Sequence, residues 1–419
     1  MSKIQEPITV DQHYVPRFYM KNFSLVKGTG KKEKVFISFF QFDEKLYREH
    51  IPTKTICYEN YFYGEDGEIE KEFANREKVW ARIINDIIET KNFDLDDDNI
   101  RKLKQFAIYQ YHRTLASYKY GTRMMSEILS QPIINNNPEL DENIIKSMVN
   151  KKVEEEISVA DIISCCDEEV DIIEDLDLAI VKNDTAKKFI TSDMPVIVIN
   201  PFCIQKAGIA NVGIVIMFPI SPELLVVIYD GKIYKNCKNG MAIVDENEIE
   251  KINMYQVISA EERILSKNIN ELELYVKNLE LVVKRNEFQA ERKVNTSYDG
   301  KGTFIAAKSR SIRYLYDVSL FKLPKCLYKI PKECRTAVTR EYSYDFRINL
   351  LVRAYKLPEW LKEKAEFSIK DIVERKEGNS KFQKFMDDYW EIPKSQRIIT
   401  PELMHKIKTV QTSFFTIDS

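Results

Sequence analysis

The fold is decided by residues 213–234, GIVIMFPISPELLVVIYDGKIY. Two apolar runs, 213–218 and 224–229, are rich in Ile and Val, which are among the residues most common in β-strands. An Asp-Gly pair at 230–231 follows the second run, and this pair is typical of a two-residue hairpin turn. The stretch therefore predicts neighbouring strands joined by short turns, with 232–234 as a short third strand.

The same pattern extends on both sides of this stretch. Apolar runs at 178–181 and 195–199 predict two further strands, and the β-forming residues 35–42 predict one near the N-terminus. An Asn-Gly pair at 239–240 predicts a second hairpin turn before 241–244. Because adjacent hairpins favour antiparallel pairing, we expect a mainly antiparallel sheet.

Helical spacing of apolar residues dominates the regions before the sheet. The positions that recur at three- and four-residue steps are Ile69, Phe73, Trp80, Ile83, Ile84, Ile87 and Ile88. A second helix is predicted after the acidic residues 96–98, running toward Met125, and a third from 141 to about 174. The capping-box sequence at 259–262 predicts the start of another helix. The fold class is therefore α+β, a helical layer packed on a mainly antiparallel sheet.

The length predicts more than one domain, because 419 residues exceed what one ordinary core absorbs. We expect an α+β core domain at 1–285 and a basic, mainly helical C-terminal region at 286–419. The polar, Gly-containing residues from about 286 to 302 are typical of a linker. A hydrophobic share of 44% and a charged share of 31% exclude a disordered or collagen-like chain.

The same composition predicts a cytoplasmic location. No apolar run approaches the roughly 18 residues that a membrane-spanning helix needs, and the first residues lack the apolar core of a signal peptide. The seven cysteines lack the dense spacing of a disulfide scaffold, so we expect reduced thiols. We expect no membrane partner, and the oligomeric state is left open.

The charge is distributed unevenly along the chain. Residues 281–419 hold 28 Lys and Arg against 18 Asp and Glu, and residues 301–340 hold 10 against 2. The preceding residues carry an excess of acidic side chains. This asymmetry suits either a polyanionic partner or an attraction between the two parts of the chain.

Aromatic residues alternate with the cations of the basic stretch. Cations bind phosphates, and aromatic faces stack on unpaired bases, so RNA or DNA is the predicted partner. The candidate nucleic-acid-binding residues are Lys308, Arg310, Arg313, Lys322, Lys325 and Lys329. The alternative is a solvated surface whose aromatic side chains point inward.

His13 is the first candidate catalytic residue. It is one of four histidines, and an imidazole that titrates near neutrality is the usual proton carrier in phosphodiester or acyl chemistry. The alternative is a partly buried histidine that donates to a backbone carbonyl and helps Tyr14 and Phe18 to pack.

Two polar pairs on the predicted helices are further candidates. Glu70 and Glu77 lie one heptad apart, hence on nearly the same helix face, and Gln110 and Arg113 share a face at a spacing of three. If the two helices pair antiparallel, a carboxylate of one meets the guanidinium of the other. A fixed arginine of this kind can hold a phosphate or carboxylate, or it can form an ordinary interhelical ion pair.

Asp193 completes the set of candidate catalytic residues. It lies two residues before Pro195, a position that favours an Asx turn between two strands. In the functional interpretation it orients His13 or binds a divalent metal ion. The candidate metal ligands are then His13, Glu77 and Asp193, with the identity of the metal left open.

Residues 12–24, QHYVPRFYMKNFS, resemble the opening of a bacterial family of domains of unknown function, domain of unknown function 4238. The acidic helix with Glu77, the Gln110…Arg113 segment and residues 191–195 look like later features of the same family. The resemblance covers roughly residues 10–275. The family has no settled activity, so the resemblance implies a fold rather than a reaction.

The absent motifs narrow the function. The chain has no Walker-type Gly-Lys-Ser/Thr loop, no Gly-x-Gly-x-x-Gly and no Gly-x-Ser-x-Gly elbow. The favoured function is a nucleic-acid-directed hydrolase, a nuclease acting as a bacterial toxin or in defence against phage. His13 would be the general base or acid, and Asp193 would orient it or bind metal. Glu77 would be a second metal ligand, and Arg113, with Gln110 on its face, would hold the anion. The alternatives are a non-catalytic nucleic-acid or partner-binding protein and an enzyme acting on a small anionic metabolite.

Overall fold

A computed structural model describes residues 9–201, 208–291, 294–298, 303–307, 312–313, 315–321 and 340. Its helices are α1 (Arg17–Lys21), α2 (Glu68–Thr90), α3 (Asp97–His112), α4 (Leu115–Asn136), α5 (Glu142–Glu156), α6 (Val159–Ile163), α7 (Cys166–Ile172), α8 (Glu246–Ser259), α9 (Ile269–Val276) and α10 (Leu279–Glu291). Its strands are β1 (Asp11–His13), β2 (Leu25–Lys27), β3 (Lys34–Gln41), β4 (Leu46–Pro52), β5 (Tyr58–Asn60), β6 (Asp177–Asn183), β7 (Thr191–Ser192), β8 (Ile197–Asn200), β9 (Val215–Ser221), β10 (Leu224–Tyr229), β11 (Ala242–Ile243), β12 (Arg263–Ser266), β13 (Val294–Tyr298), β14 (Thr303–Ala307) and β15 (Ile312–Arg313).

The central sheet has six strands in the order β11-β6-β10-β9-β8-β15. The four central strands are antiparallel, and β11 and β15 add parallel pairs at the two edges. A second sheet joins β2, β3, β12 and β7, with β4 also paired to β3. The predicted α+β class with a mainly antiparallel sheet is confirmed.

Helices cover both faces of the central sheet. Ile216, Phe218 and Ile220 of β9 belong to the apolar cluster that contains residues of α2 and α3. Val215 and Met217 face the other way, into a cluster that contains residues of α8. Burial on both faces explains why these strands are continuous apolar runs rather than alternating ones.

The two predicted hairpins after β10 do not form. Residues 232–234 are a turn, because Asp230 accepts hydrogen bonds from the amides of Gly213 and Lys232 and so folds the chain back on itself. The Asn239-Gly240 segment instead binds the edge of β6, and β11 pairs with β6 in parallel. Side-chain and tertiary hydrogen bonds override the local turn signals.

The long helix predicted from 97 toward Met125 is broken at Arg113. Thr114 caps the next helix by accepting a hydrogen bond from the amide of Ser117, so α3 ends and α4 begins there. The helix predicted at 141–174 is divided into α5, α6 and α7. The 23-residue helix α2 agrees with the predicted apolar spacing.

Parts of the chain beyond 285 contact the core. Helix α10 continues to Glu291, β15 extends the central sheet, and Val318, Leu320 and Phe321 are buried in the same apolar cluster as α8. Arg340 is buried and forms an ion pair with Asp175.

The predicted nucleic-acid interface falls largely outside the described residues. Arg313 lies in β15, whereas the other five candidates do not belong to the described part of the chain; they are Lys308, Arg310, Lys322, Lys325 and Lys329. In the predicted, mainly helical region 286–419, the described residues include the end of α10 and the strands β13, β14 and β15, and the rest of this prediction lies outside the described residues. Within the ranges that are described, no helix is long and apolar enough to cross a membrane.

Candidate functional site

The opening segment is held in an extended conformation beside β5. His13 pairs with Tyr58 in the β1–β5 ladder, and the amides of Tyr14 and Val15 donate to the carbonyl of Cys57. Cys57 has a φ of 53°, a left-handed conformation that a non-glycine residue seldom adopts. The segment that carries His13 is therefore held by backbone contacts on one side.

Gln12 fixes the same segment from the interior. Its side chain is fully buried, donates to the carbonyls of Thr9 and Gly64, and accepts from the amide of Tyr63. A buried amide with these partners is satisfied and restricts the backbone on both sides of His13. Sequence analysis did not select Gln12, and its only signal was its position directly before the His-Tyr-Val-Pro string.

Arg113 binds the backbone of His13 rather than a ligand. Its three guanidinium nitrogens donate to the Tyr63 hydroxyl at 2.9 Å, to Glu77 at 2.7 Å and to the His13 carbonyl at 2.8 Å. The side chain is 1% exposed and stacks over the Phe73 ring. The predicted ion pair between the helices is confirmed, but each guanidinium nitrogen already donates to a protein acceptor, and the side chain is too buried to hold an anion from solvent.

Gln110 is a second buried side chain that binds the backbone of the opening segment. Its side-chain amide donates to the carbonyl of Tyr14 at 3.0 Å, and the residue is 1% exposed. It therefore positions the chain next to His13 and does not line the cavity described below. Arg113 and Gln110 therefore donate hydrogen bonds to two consecutive backbone carbonyls, those of His13 and Tyr14.

A polar cavity of about 470 Å³ opens beside this network. Its lining residues are Thr9, Asp11, His13, Arg17, Lys54, Thr55, Glu70 and Glu77. Glu70 and Glu77 both face it, as their heptad spacing on α2 predicted. Arg17 and Lys54 bring cations to the same cavity, and neither was among the predicted site residues. Arg17 belongs to residues 12–24, which resemble the opening of the family, whereas no sequence pattern indicated Lys54.

The His13 imidazole is half-buried and lacks a full set of partners. Its Nε2 atom is buried and makes no hydrogen bond in the described part of the protein. Burial lowers the pKa of His13 below its usual 6.5, and the nearby charge of Arg17 lowers it further. Neighbouring backbone carbonyls, that of Thr53 foremost, oppose this fall in pKa. The neutral imidazole is therefore the favoured form near neutral pH.

Glu70 lines the cavity and, like Asp11, forms no ion pair among the described residues. Burial raises the pKa of Glu70 above its usual 4.5, the negative charge of Glu77 adds to the rise, and Arg113 opposes it. Glu77 differs because its charge is balanced directly by Arg113. Of these two glutamates, Glu77 is held in an ion pair, and Glu70 has a pKa raised by burial and by the charge of Glu77.

Asp193 lies outside the cavity and stabilises the connection between α8 and β12. Its two carboxylate oxygens accept hydrogen bonds from the amides of Glu261, Glu262 and Arg263, and it does not line the cavity. Burial raises the pKa of its carboxyl to about 6, and the amide of Glu262 opposes the rise. The prediction that Asp193 stands beside His13 as its orienting group is wrong.

These three hydrogen bonds also explain why the helix start predicted at 259–262 is wrong. The capping-box sequence at 259–262 does not open a helix, because Ser259 ends α8 and β12 begins at Arg263. Asp193 binds the amides that a new helix would leave free at its first turn. The carboxylate therefore stabilises the sharp connection from α8 to β12.

We expect Asp193→Ala to lower the free energy of unfolding by about 3 kcal/mol, because it leaves three amides of one connection without their acceptor. Urea unfolding followed by circular dichroism measures this loss. Asp141→Ala is the matched control, because Asp141 accepts from a single exposed amide at the start of α5. It should cost about 1 kcal/mol. Equal losses in the two variants would contradict the assignment.

The predicted metal site is not assembled. Across the residues whose positions are described, no three His, Cys, Asp or Glu side chains are grouped so that they could hold a metal ion. Of the three predicted ligands, His13 and Glu77 share the cavity, whereas Asp193 is bound to backbone amides.

The fold and the cavity define a mixed α+β protein in which an imidazole, three carboxylates and two cations share one polar cavity. The chain belongs to the family of proteins of unknown function DUF4238, which matches residues 11–269. The resemblance of the opening string to that family is confirmed. No curated protein and no solved structure matches the chain.

Proposed function

We propose that the protein is a nuclease that cleaves phosphodiester bonds by general acid–base catalysis in the cavity beside α2. His13 is the proton acceptor and Glu70 the proton donor. Arg17 and Lys54 bind the phosphate. Arg113 and Gln110 are positioning residues that hold the backbone at His13 and Tyr14.

The observation that carries the proposal is the unpartnered Nε2 of His13 within a rigidly held segment. A buried nitrogen without a hydrogen bond costs about 1–3 kcal/mol, so its presence calls for an explanation. The segment around it is fixed by Gln12, Gln110 and Arg113, which are all buried. A substrate proton that binds the imidazole would satisfy the nitrogen, and the fixed backbone would supply the alignment that proton transfer needs.

The division of roles follows from the two environments. Burial and Arg17 favour the neutral imidazole of His13, which is the form that accepts a proton. Burial and the charge of Glu77 raise the pKa of Glu70, which makes its carboxyl a more available proton donor than that of an ordinary glutamate. Two titratable groups of one site whose pKa values are shifted in opposite directions are typical of an acid–base pair.

Arg17 and Lys54 supply the anion binding that the sequence assigned to Arg113. Both side chains are exposed at the cavity, and neither forms an ion pair within the described residues. A guanidinium can hold two phosphate oxygens at once, and an ammonium adds a point charge. These cations would also stabilise the extra negative charge that develops on the phosphate during cleavage.

A nuclease of this kind would arrest the cell in which it is active, which suits the role of a toxin or an effector against phage. Growth on induction measures this directly. We expect expression of the native chain to stop growth and expression of a His13 variant to allow it. Growth arrest by both proteins would contradict the role.

We expect the purified full-length protein to degrade labelled single-stranded nucleic acid in the presence of EDTA, since no step needs a metal ion. Arg17→Gln should weaken substrate binding by about tenfold or more, because a charge-assisted hydrogen bond contributes about 1.5–3 kcal/mol. Gel electrophoresis of RNA and DNA substrates over time measures both effects.

Lys21→Gln is the matched control for this experiment. Lys21 lies one turn further along α1, where it pairs with Glu33 rather than lining the cavity. It should leave the cleavage rate unchanged. Cleavage that stops on addition of EDTA would contradict the metal-independent mechanism, and retarded but intact nucleic acid would indicate a binding protein without catalysis.

A further inference from the structure

We infer that the substrate is RNA and that the attacking nucleophile is the ribose 2′-hydroxyl next to the bond that breaks. This inference rests on the proposed function and names the substrate class of the same cavity. It follows from what the cavity contains and from what its described residues do not supply.

The cavity provides proton carriers and cations but no activated nucleophile of its own. Its lining contains no serine or cysteine among the described residues, and the hydroxyl of Thr9, one of its two threonines, makes no hydrogen bond to a base within those residues. The hydroxyl of Thr55 donates to the carbonyl of Pro52, so its proton is already bound. A protein nucleophile needs an adjacent base and a free proton to give up, and this hydroxyl does not offer one.

A metal-bound hydroxide is the usual alternative nucleophile in phosphodiester cleavage. That route needs a grouped set of ligands, and the described residues contain no group of three suitable side chains. Asp11, His13, Glu70 and Glu77 share the cavity without forming such a group. Glu77 is further committed to Arg113 through a 2.7 Å ion pair.

RNA needs neither a protein nucleophile nor a metal-bound hydroxide, because its own 2′-hydroxyl lies beside the phosphate. This hydroxyl is absent from DNA. An intramolecular attack of this kind gains much of its rate from proximity. The enzyme then has to move two protons and stabilise charge. His13, Glu70, Arg17 and Lys54 are suited to those tasks.

The reaction balances with these groups alone. His13 takes the proton from the 2′-hydroxyl, the 2′-oxygen forms a bond to phosphorus, and the bond from phosphorus to the 5′-oxygen breaks. Glu70 gives its carboxyl proton to the leaving 5′-oxygen. The products are a 2′,3′-cyclic phosphate and a 5′-hydroxyl end, and exchange with water returns His13 and Glu70 to their starting forms.

The size of the cavity agrees with this substrate class. About 470 Å³ lies within the range of cavities that hold a small molecule, and it suits one nucleotide of a single strand. Arg17 and Lys54 would contact its phosphate at the exposed side. The half-buried His13 would meet the sugar edge.

The test uses three oligonucleotides of one sequence, incubated with the full-length protein in EDTA. The first is DNA with a single ribonucleotide, the second is all DNA, and the third carries a 2′-O-methyl group on that ribonucleotide. We expect cleavage only of the first, at the 3′ side of its ribonucleotide, and a rate at least about 10³-fold lower for the other two. Mass spectrometry of the first turnover should show the 2′,3′-cyclic phosphate.

The outcomes separate this inference from the proposed function. Cleavage of all three oligonucleotides at similar rates, or an oxygen atom from water in the first-turnover phosphate, would overturn the 2′-hydroxyl mechanism and leave a nuclease in place. Cleavage of none of them, nor of an all-RNA strand of the same sequence, would overturn both. Glu70→Gln should slow cleavage of the single-ribonucleotide substrate by about 10²-fold or more, because it removes the proton donor.

Discussion

If His13 is the general base we propose, replacing it with asparagine should lower kcat for nucleic-acid cleavage by about 10²–10⁴-fold. The free energy of unfolding should change by about 1 kcal/mol or less. Nε2 makes no hydrogen bond in the described structure, and the clamps on this segment bind its backbone carbonyl. Initial rates with labelled RNA and urea unfolding measure the two quantities on the same preparation.

His50→Asn is the matched control for this variant. His50 is an exposed histidine of β4, and its φ of 53° is a conformation that asparagine tolerates well. It should leave both the rate and the stability unchanged. A parallel loss of activity and stability in His13→Asn would instead indicate a structural histidine.

The pH dependence gives a second readout of the same group. The rate of the native protein should fall on the acid side as His13 becomes protonated, with a midpoint below 6.5, because burial and Arg17 lower its pKa. His13→Asn should lose this acid-side fall in whatever rate remains. A structural histidine would not change the shape of the profile in this way.

Replacing Arg113 with methionine lowers the free energy of unfolding by about 3–5 kcal/mol, the usual cost of removing one partner of a buried ion pair. The change leaves the Glu77 carboxylate without its counter-ion. The His13 carbonyl and the Tyr63 hydroxyl each lose a guanidinium donor. Urea unfolding followed by circular dichroism measures the loss.

Arg101→Met is the matched control, because Arg101 lies in α3 and Arg113 directly follows the last residue of that helix. Arg101 also pairs with two carboxylates, those of Asp171 and Glu174, but its side chain is 44% exposed. Water screens such pairs, so the expected cost is about 0–1 kcal/mol. Equal and small losses in the two variants would contradict the role of Arg113 as the interior clamp of the opening segment.

Local patterns of sequence predicted the elements whose burial is periodic. The apolar spacing of α2 placed Glu70 and Glu77 on one face, and both line the cavity. The strand runs at 197–200, 215–221 and 224–229 form as expected, because their apolar residues fit a sheet covered on both faces.

The errors arose where a polar side chain bound backbone amides and so changed the local conformation. Asp230 turned a predicted hairpin into a folded-back loop, and Asp193 turned a predicted helix start into a strand connection. Thr114 divided a predicted continuous helix. In each case the local signal was present, but a polar partner determined which of several conformations was the more stable.

By itself, the sequence determined the fold class, the helix that lines the cavity and membership of the DUF4238 family, since these depend on periodicity and on a continuous opening string. Only the tertiary structure decided the task of each polar side chain. Arg113 donates to a carbonyl 100 positions earlier in the chain, and Asp193 accepts from amides about 70 positions later. Burial determines which charged side chains can bind a substrate. A buried charge must bind partners within the protein, whereas a charge exposed at a cavity can bind a substrate.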